Sequence, residues 1–174
     1  MTSPSTTAPA RRPTVDESEL GAWRAFIQTH ARLLHRLDEE LQAAHGLSLA
    51  EYDALLQLVT APERRLRMSV LAERVLLSRS GITRLVDRLV ADGMVERSAC
   101  PTDARGSMAS ITQTGVSRLR AASKTHLDGV RRYFLDVVTA DEQSTMERAL
   151  GHVNDGLTGR VIGQDSACTA GLES

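Results

Sequence analysis

One apolar stripe near the N-terminus constrains the fold of this chain more than any other feature of its sequence. Its residues recur at alternating spacings of three and four over more than about five helical turns: Leu20, Trp23, Ile27, His30, Leu34, Leu37 and Leu41. This spacing places them on one face of an α-helix, which we expect over about 17–44. A helix this long with so narrow a stripe needs a partner surface to pack against.

Capping signals mark the starts of three further helices. The run from Ser48 to Glu51 and the run from Thr139 to Glu142 are both capping boxes, and Thr112 is a plausible cap between them. The predicted inward residues are Tyr52, Leu55, Leu56 and Val59 in the first of these helices, Val116, Leu119, Leu127, Val130 and Phe134 in the second, and Met146, Leu150, Val153 and Leu157 in the third.

The middle of the chain predicts a series of short elements. A strand over 66–68 precedes a helix over 70–75 capped by Ser69, and a tight connection leads to a helix over about 79–92 that ends at Gly93. Strands over 94–97 and 108–111 follow, joined by a polar loop. The expected fold class is mainly α with a small β-wing, a winged helix-turn-helix with additional N- and C-terminal helices.

The helix over 79–92 has two faces of different chemistry. Its inward face is apolar, with Ile82, Leu85, Val86 and Leu89, and its outward face carries Arg79, Ser80, Thr83, Arg84, Asp87 and Arg88. Arginines can bond phosphates or guanine edges, and the N-terminus of a helix favours phosphate. In a helix-turn-helix, the second helix enters the major groove of DNA. By itself, the same face is equally that of an ordinary solvated surface helix.

The charge of the chain is segregated. The net charge is −1, yet residues 64–105 hold nine arginines against five acidic residues. A near-neutral chain with one basic stretch favours a local contact with a polyanion. No apolar run approaches the roughly 20 residues of a membrane span, and residues 1–14 lack the apolar stretch of a secretory signal. We therefore expect a cytoplasmic protein without membrane contact.

Several linked motifs resemble the MarR family of bacterial regulators. The segment from Asp103 to Thr112 matches the family's pattern D-x-R-x-x-x-x-x-[L/I]-T, and the sequence SGITRLVDRL at 80–89 resembles its helix-turn-helix. The sequence LAE at 71–73 also resembles part of that helix-turn-helix, and the sequences GMVER at 93–97 and TQTG at 112–115 resemble the segments that lead into the wing and into the next helix. The resemblance covers about 20–157 in element order and individual residues over 71–115.

The resemblance implies DNA binding through the second helix and the wing. Arg105 at the wing tip would enter the minor groove, Asp103 would orient the wing by pairing with an arginine, and Gly106 would permit the turn. Residues of the helix would reach base edges or adjacent phosphates. The predicted DNA-binding set is Arg79, Ser80, Thr83, Arg84, Arg88, Asp103 and Arg105.

The resemblance also implies a two-fold dimer. We expect a disordered arm over 1–16, an N-terminal dimerisation helix over 17–47, a DNA-binding domain over 48–112, C-terminal dimerisation helices over 113–162 and a flexible tail over 163–174. The dimerisation helices cannot bury their stripes on one small winged helix, whereas a homodimer can. Two-fold symmetry predicts an approximately palindromic double-stranded operator with half-sites about 10 bp apart.

In many family members, an anionic aromatic molecule binds between the dimerisation helices and the DNA-binding lobe. The resemblance therefore implies a repressor released by a small aromatic or anionic effector. Trp23, Ile27, His30, Tyr52 and Arg118 are of a suitable type to bind it. The alternative, that these side chains are core and interface residues, stays open.

Other functions find less support in the sequence. No two of the five histidines stand at helical spacing, and neither Cys100 nor Cys168 has a nearby ligand, so we expect no metal and no cofactor. Cys100 lies near two arginines that would lower its pKa, but an incidental thiol is the simpler interpretation. No phosphate loop, nucleophile elbow or acid–base pair indicates an enzyme. A winged-helix module that binds a protein instead of DNA is the remaining alternative.

The wing arginine gives a first testable expectation. Arg105→Ala should weaken operator binding by about 1–3 kcal/mol, the usual effect of removing one groove interaction, without unfolding the dimer. Titration of labelled operator with wild-type and variant protein measures the difference. An unchanged affinity would remove the wing from the mechanism.

Overall fold

The computed structural model describes residues 17, 20–100 and 103–158, without the side chains at 100, 103–105 and 158. The predicted arm over 1–16 and the predicted tail over 163–174 lie outside these residues. The described chain is mostly helical, with one small antiparallel sheet, as expected. It divides into two compact units, which comprise the residues up to Thr125 and the residues from His126 onward.

The elements follow the predicted order. In the first unit they are α1 (Leu20–His45), α2 (Leu49–Thr60), a 3₁₀ turn (Pro62–Arg64), β1 (Arg65–Arg67), α3 (Met68–Arg74), α4 (Arg79–Ala91), β2 (Val95–Cys100), β3 (Asp103–Ile111) and most of α5 (Gln113–Val130). The second unit holds the end of α5, a π-helical turn (Arg131–Leu135) and α6 (Ala140–Thr158). The regular part of α5 thus ends at Val130, so Phe134, predicted on the inward face of this helix, lies in the π-helical turn.

The sheet is built around β3, in the order β1-β3-β2. Leu66 lies opposite Ala109 on one side, and Val95 lies opposite Ile111 on the other. The wing strands are longer than predicted, because much of the expected loop over 98–107 pairs as strand. Its polar composition was a misleading signal, since strand formation depends on the pairing partner more than on intrinsic preference.

The core lies where α2, α3 and α4 pack against the sheet. All four residues predicted on the inward face of α4 are buried, and so are Tyr52 and Leu55 of α2. Leu56 and Val59 are partly buried against the same core. The amphipathic pattern of α2 and α4 therefore predicted their packing correctly.

Capping was predicted correctly at three helices and wrongly at one. The Ser48–Glu51 capping box is complete, Thr139 and Glu142 bond each other reciprocally, and the hydroxyl of Thr112 accepts from the backbone N–H of Gly115 at 3.0 Å. Ser69 is not a cap, because α3 begins at Met68, two residues before the expected start and directly after the strand pairing that fixes Arg67.

Two apolar stripes remain uncovered in the single chain. Of the predicted stripe of α1, only Leu37 and Leu41 are buried, while Trp23 is 59% exposed. On α6, Val153 is 59% exposed and Leu157 is 80% exposed. Each element thus presents apolar surface that its own unit does not bury.

Gly115 stands at the tightest point of the joint between the wing and α5. A methyl group there would overlap the carbonyl oxygen of Met94 and come within 2.7 Å of Cγ1 of Ile111. We expect Gly115→Ala to lower the free energy of unfolding by about 1–3 kcal/mol through overpacking. Urea denaturation measures this, with Gly21→Ala as the control because a Cβ at Gly21 meets nothing within 4 Å. Equal stabilities of the two variants would contradict the expectation.

Candidate nucleic-acid interface

The N-terminus of α4 is fixed by a serine cap. Ser78 has an extended backbone, and its Oγ accepts from the N–H of Gly81 at 3.1 Å. The hydroxyl of Ser80 lies 3.2 Å from that of Ser78, and the hydroxyl of Thr83 donates to the carbonyl of Arg79 at 2.8 Å. Ser80 and Thr83 are both exposed, so their oxygens remain open to a ligand at the start of the helix.

A groove of about 430 Å³ runs between α4 and the wing. Arginines from three different elements line it: Arg67 before α3, Arg79 at the start of α4 and Arg97 on β2. The hydroxyl-bearing residues Ser69, Thr83 and Ser107 also line it. Guanidinium and hydroxyl groups around a concave surface suit the phosphate oxygens of a nucleic-acid backbone.

The sequence predicted only part of this groove. Arg79 and Thr83 were in the predicted DNA-binding set, whereas Arg67 and Arg97 were not. Two signals were available: Arg67 belongs to the basic run 64–67, and Arg97 closes the GMVER motif. Neither signal says which element the side chain faces, because both residues reach the groove only through the antiparallel pairing of their strands with β3.

Arg97 also fastens the wing to α4. Its Nη1 lies 2.9 Å from Oδ1 of Asp87, and its Nη2 donates to the carbonyl of Thr83 at 3.2 Å. The predicted anchor of the wing was Asp103, whose side chain lies outside the described residues, as does that of Arg105. The anchor that the described residues show is therefore Asp87, one turn after Thr83 on α4.

Arg88 does not line the groove and contacts a different helix. Its Nε donates to Oε1 of Glu51 at 2.8 Å, across to the first turn of α2. Arg84 is exposed on α4, as expected for a contact residue. Of the predicted set, the groove brings together Arg79 and Thr83; Ser80 and Arg84 are exposed on the same helix, and Arg88 pairs elsewhere.

Glu51 remains a carboxylate in this pair. Its burial raises the pKa, but hydrogen bonds from Arg88 and from the backbone and hydroxyl of Ser48 together outweigh that effect and hold the pKa below its ordinary value. The pair is therefore ionic at neutral pH.

The predicted effector residues fall into two places in the first unit. Trp23, Phe26 and His30 form an exposed aromatic row on α1, with ring centroids 6.4 and 6.0 Å apart. Ile27 is exposed on the same stretch. Tyr52 is buried and donates to Oγ of Ser123, and Arg118 donates to the carbonyl of His45 at the far end of α1.

These two places are far apart within one chain. The 22 residues from Trp23 to His45 span roughly 33 Å along the helix axis. The described residues of one protomer therefore do not bring all the predicted effector residues together in a single site.

Two further findings concern the described residues alone. No three His, Cys, Asp or Glu side chains among them are grouped so as to hold a metal ion. None of the helices there is long and apolar enough to cross a membrane. The side chain of Cys100 is outside this part of the structure, so its redox role stays a hypothesis.

Comparisons with known proteins agree with this geometry. A sequence model of the MarR family matches residues 45–106. The chain is 33% identical to Sco3205, a MarR family transcriptional regulator from Streptomyces coelicolor solved in complex with DNA, with a TM-score of 0.80 over 86% of this chain and 93% of that one. This similarity confirms the winged helix-turn-helix fold.

Two curated relatives are regulators as well. The HTH-type transcriptional regulator PrsX of Escherichia coli is 29% identical over 136 residues, which are 74% of this chain and 79% of PrsX. The HTH-type transcriptional repressor YetL of Bacillus subtilis is 25% identical over 144 residues, which are 83% of this chain and 85% of YetL.

The Asp87–Arg97 pair gives a testable prediction, because the charge of Asp87 and its anchoring role affect DNA affinity in opposite directions. Asp87→Asn removes a negative charge beside the groove, which by itself should strengthen DNA binding. We expect instead a loss of about threefold to tenfold, because the weakened anchor no longer holds the wing against α4. Fluorescence anisotropy with a duplex measures the change, and Asp92→Asn at the end of α4 is the control with the same charge change. Tighter binding by Asp87→Asn would contradict the anchoring role.

Proposed function

This chain belongs to the MarR family of transcriptional regulators, and we propose that it represses transcription by binding an approximately palindromic operator as a homodimer. It is a DNA-binding transcriptional regulator with a winged helix-turn-helix. The observation that carries the proposal is the groove in which Arg67, Arg79 and Arg97 converge from three elements. The proposal includes no catalytic step, and it places the protein in the cytoplasm, with the DNA.

The groove and the exposed face of α4 suggest how the DNA is bound. In this proposal the N-terminal half of α4 enters the major groove, where Ser80, Thr83 and Arg84 meet base edges. Arg67 and Arg79 then take phosphates of the flanking backbone, Arg97 holds the wing through Asp87, and Arg105 on the wing reaches the minor groove. Asp103 orients the wing in the same scheme.

Exposed apolar surface supports the homodimer. The stripe on α1 and the stripe on α6 expose large apolar side chains in the single chain, including Trp23, Ile27, Leu150, Val153 and Leu157. A second copy of the chain would remove that surface from water, which favours association. The two-fold axis would then set two copies of α4 about one turn of DNA apart.

Repression and effector release form the finer part of the proposal. Repression is supported by the similarity to the repressor YetL. We propose that the effector is a small aromatic or anionic molecule, bound by Arg118 and Tyr52 of one chain or by the row of Trp23, Ile27 and His30. A ligand that took Arg118 would release the carbonyl of His45, and so loosen the corner between α1 and α2.

Binding to the DNA upstream of the protein's own coding region tests the function. A salt titration of the purified protein should show selective binding over a scrambled duplex, with affinity that falls steeply as salt rises. Weak binding without selectivity would contradict an operator in that region. Capture of a protein partner by the same face, together with no selective duplex in a random pool, would favour the protein-binding module.

A substitution on α6 tests the dimer. Val153→Glu puts a charge into the exposed apolar stripe, and burying an unpaired charge is strongly unfavourable. We expect a monomer by light scattering where the wild-type protein is a dimer, together with weaker operator binding. His152→Glu is the control, because it introduces the same side chain on a different face of α6. A dimer of unchanged stability in Val153→Glu would exclude this stripe from the interface.

A further inference from the structure

One carboxylate joins two helices of the DNA-binding lobe. Oε1 of Glu51 accepts from Nε of Arg88 at 2.8 Å, and Oε2 accepts from the backbone N–H of Ser48 at 2.9 Å. The side chain of Glu51 is only 10% exposed. Because both oxygens are engaged, Glu51 links the first turn of α2 to Arg88 near the end of α4.

The same corner is tied to α1. The N–H of Leu49 donates to Oδ1 of Asp38 at 2.7 Å, and Gly46 provides the positive φ of 65° with which α1 ends. Consecutive hydrogen bonds therefore run from α1 through the start of α2 to α4. Arg88 is the member of this series on the helix that carries the DNA-contacting face.

Arg88 lies on the flank of α4 away from the groove. It follows Arg79 by nine residues, which corresponds to about half a turn around the helix axis. Arg79 lines the groove beside the wing, whereas Arg88 pairs with α2. A residue in that place supports the helix and does not share the groove with the phosphate-binding side chains.

We propose that Arg88 is a positioning residue, which through Glu51 fixes the orientation of α4 against the corner of α1 and α2 and so sets the selectivity of DNA binding. The inference rests on the proposed function and deepens it. It also replaces the expectation that Arg88 is a DNA contact. An arginine at a phosphate releases counterions, whereas an arginine neutralised by Glu51 brings no net charge to the duplex. The two roles therefore differ in the salt dependence of binding.

The test uses the full chain and a duplex that the wild-type protein selects from a random pool. We expect Arg88→Ala and Glu51→Ala each to lower the affinity for this duplex about tenfold, the usual effect of losing a hydrogen bond to a charged group. The slope of log K against log salt should stay at the wild-type value in Arg88→Ala, because the arginine that this variant removes neutralises no phosphate. In Arg79→Ala, the comparison variant at a groove arginine that the proposed function places at a phosphate, the slope should become shallower by about 0.9 for each phosphate that the variant no longer neutralises.

Two further variants separate positioning from general damage. Glu51→Gln keeps an acceptor for Nε of Arg88 and should recover most of the affinity lost in Glu51→Ala. The double variant Glu51→Ala/Arg88→Ala should bind no worse than either single variant, because the two residues act as one unit. Circular dichroism and light scattering check that each variant is a folded dimer. The Arg88 side chain is 59% exposed, so its truncation leaves no buried cavity.

The outcomes distinguish the two levels of the proposal. If the wild-type chain selects no duplex, the proposed function itself fails. If the wild-type chain does select one, a shallower salt slope in Arg88→Ala, or an unchanged affinity in Glu51→Ala, overturns the positioning role alone. Additive losses in the double variant overturn it as well.

Discussion

The burial of one face of α4 is the interaction on which the rest of this structure depends. Ile82, Leu85, Val86 and Leu89 are each no more than 2% exposed, and they pack into the core that α2, α3 and the sheet complete. Because side chains are fixed in angle around a helix, burial of this face also determines where every other face points. The exposed face with Ser80, Thr83 and Arg84, the groove flank and the Glu51 flank are three consequences of that one burial.

The wing depends on α4 in a different way. Its two strands share backbone hydrogen bonds with each other, but its position relative to α4 is held by polar contacts at both ends. Arg97 reaches Asp87 and the carbonyl of Thr83, while the hydroxyl of Thr112 donates to the carbonyl of Gly93 at 2.8 Å. Two parts of the family resemblance therefore have a physical reason. The arginine of GMVER, Arg97, anchors the wing to α4. The glycine of TQTG, Gly115, lies where a Cβ would overlap the carbonyl oxygen of Met94.

The positively charged surface and the exposed apolar surface of this chain lie on different elements. The groove arginines and the exposed face of α4 concentrate positive charge in the first unit, although the whole chain carries a net charge of −1. The large exposed apolar side chains lie mostly on α1 and from the end of α5 onward. Positive charge and exposed apolar surface thus lie on different parts of the chain.

The sequence by itself determined the order of elements, three of the caps, the inward face of α4 and the family. These properties are local, because helix periodicity, capping boxes and short motifs are set by residues a few positions apart. Only the tertiary structure decided the length of the wing strands, the convergence of Arg67 and Arg97 on the groove, and the pairing of Arg88 with Glu51. Those features join residues distant in sequence, and no local pattern states which partner a side chain on a helix flank will meet.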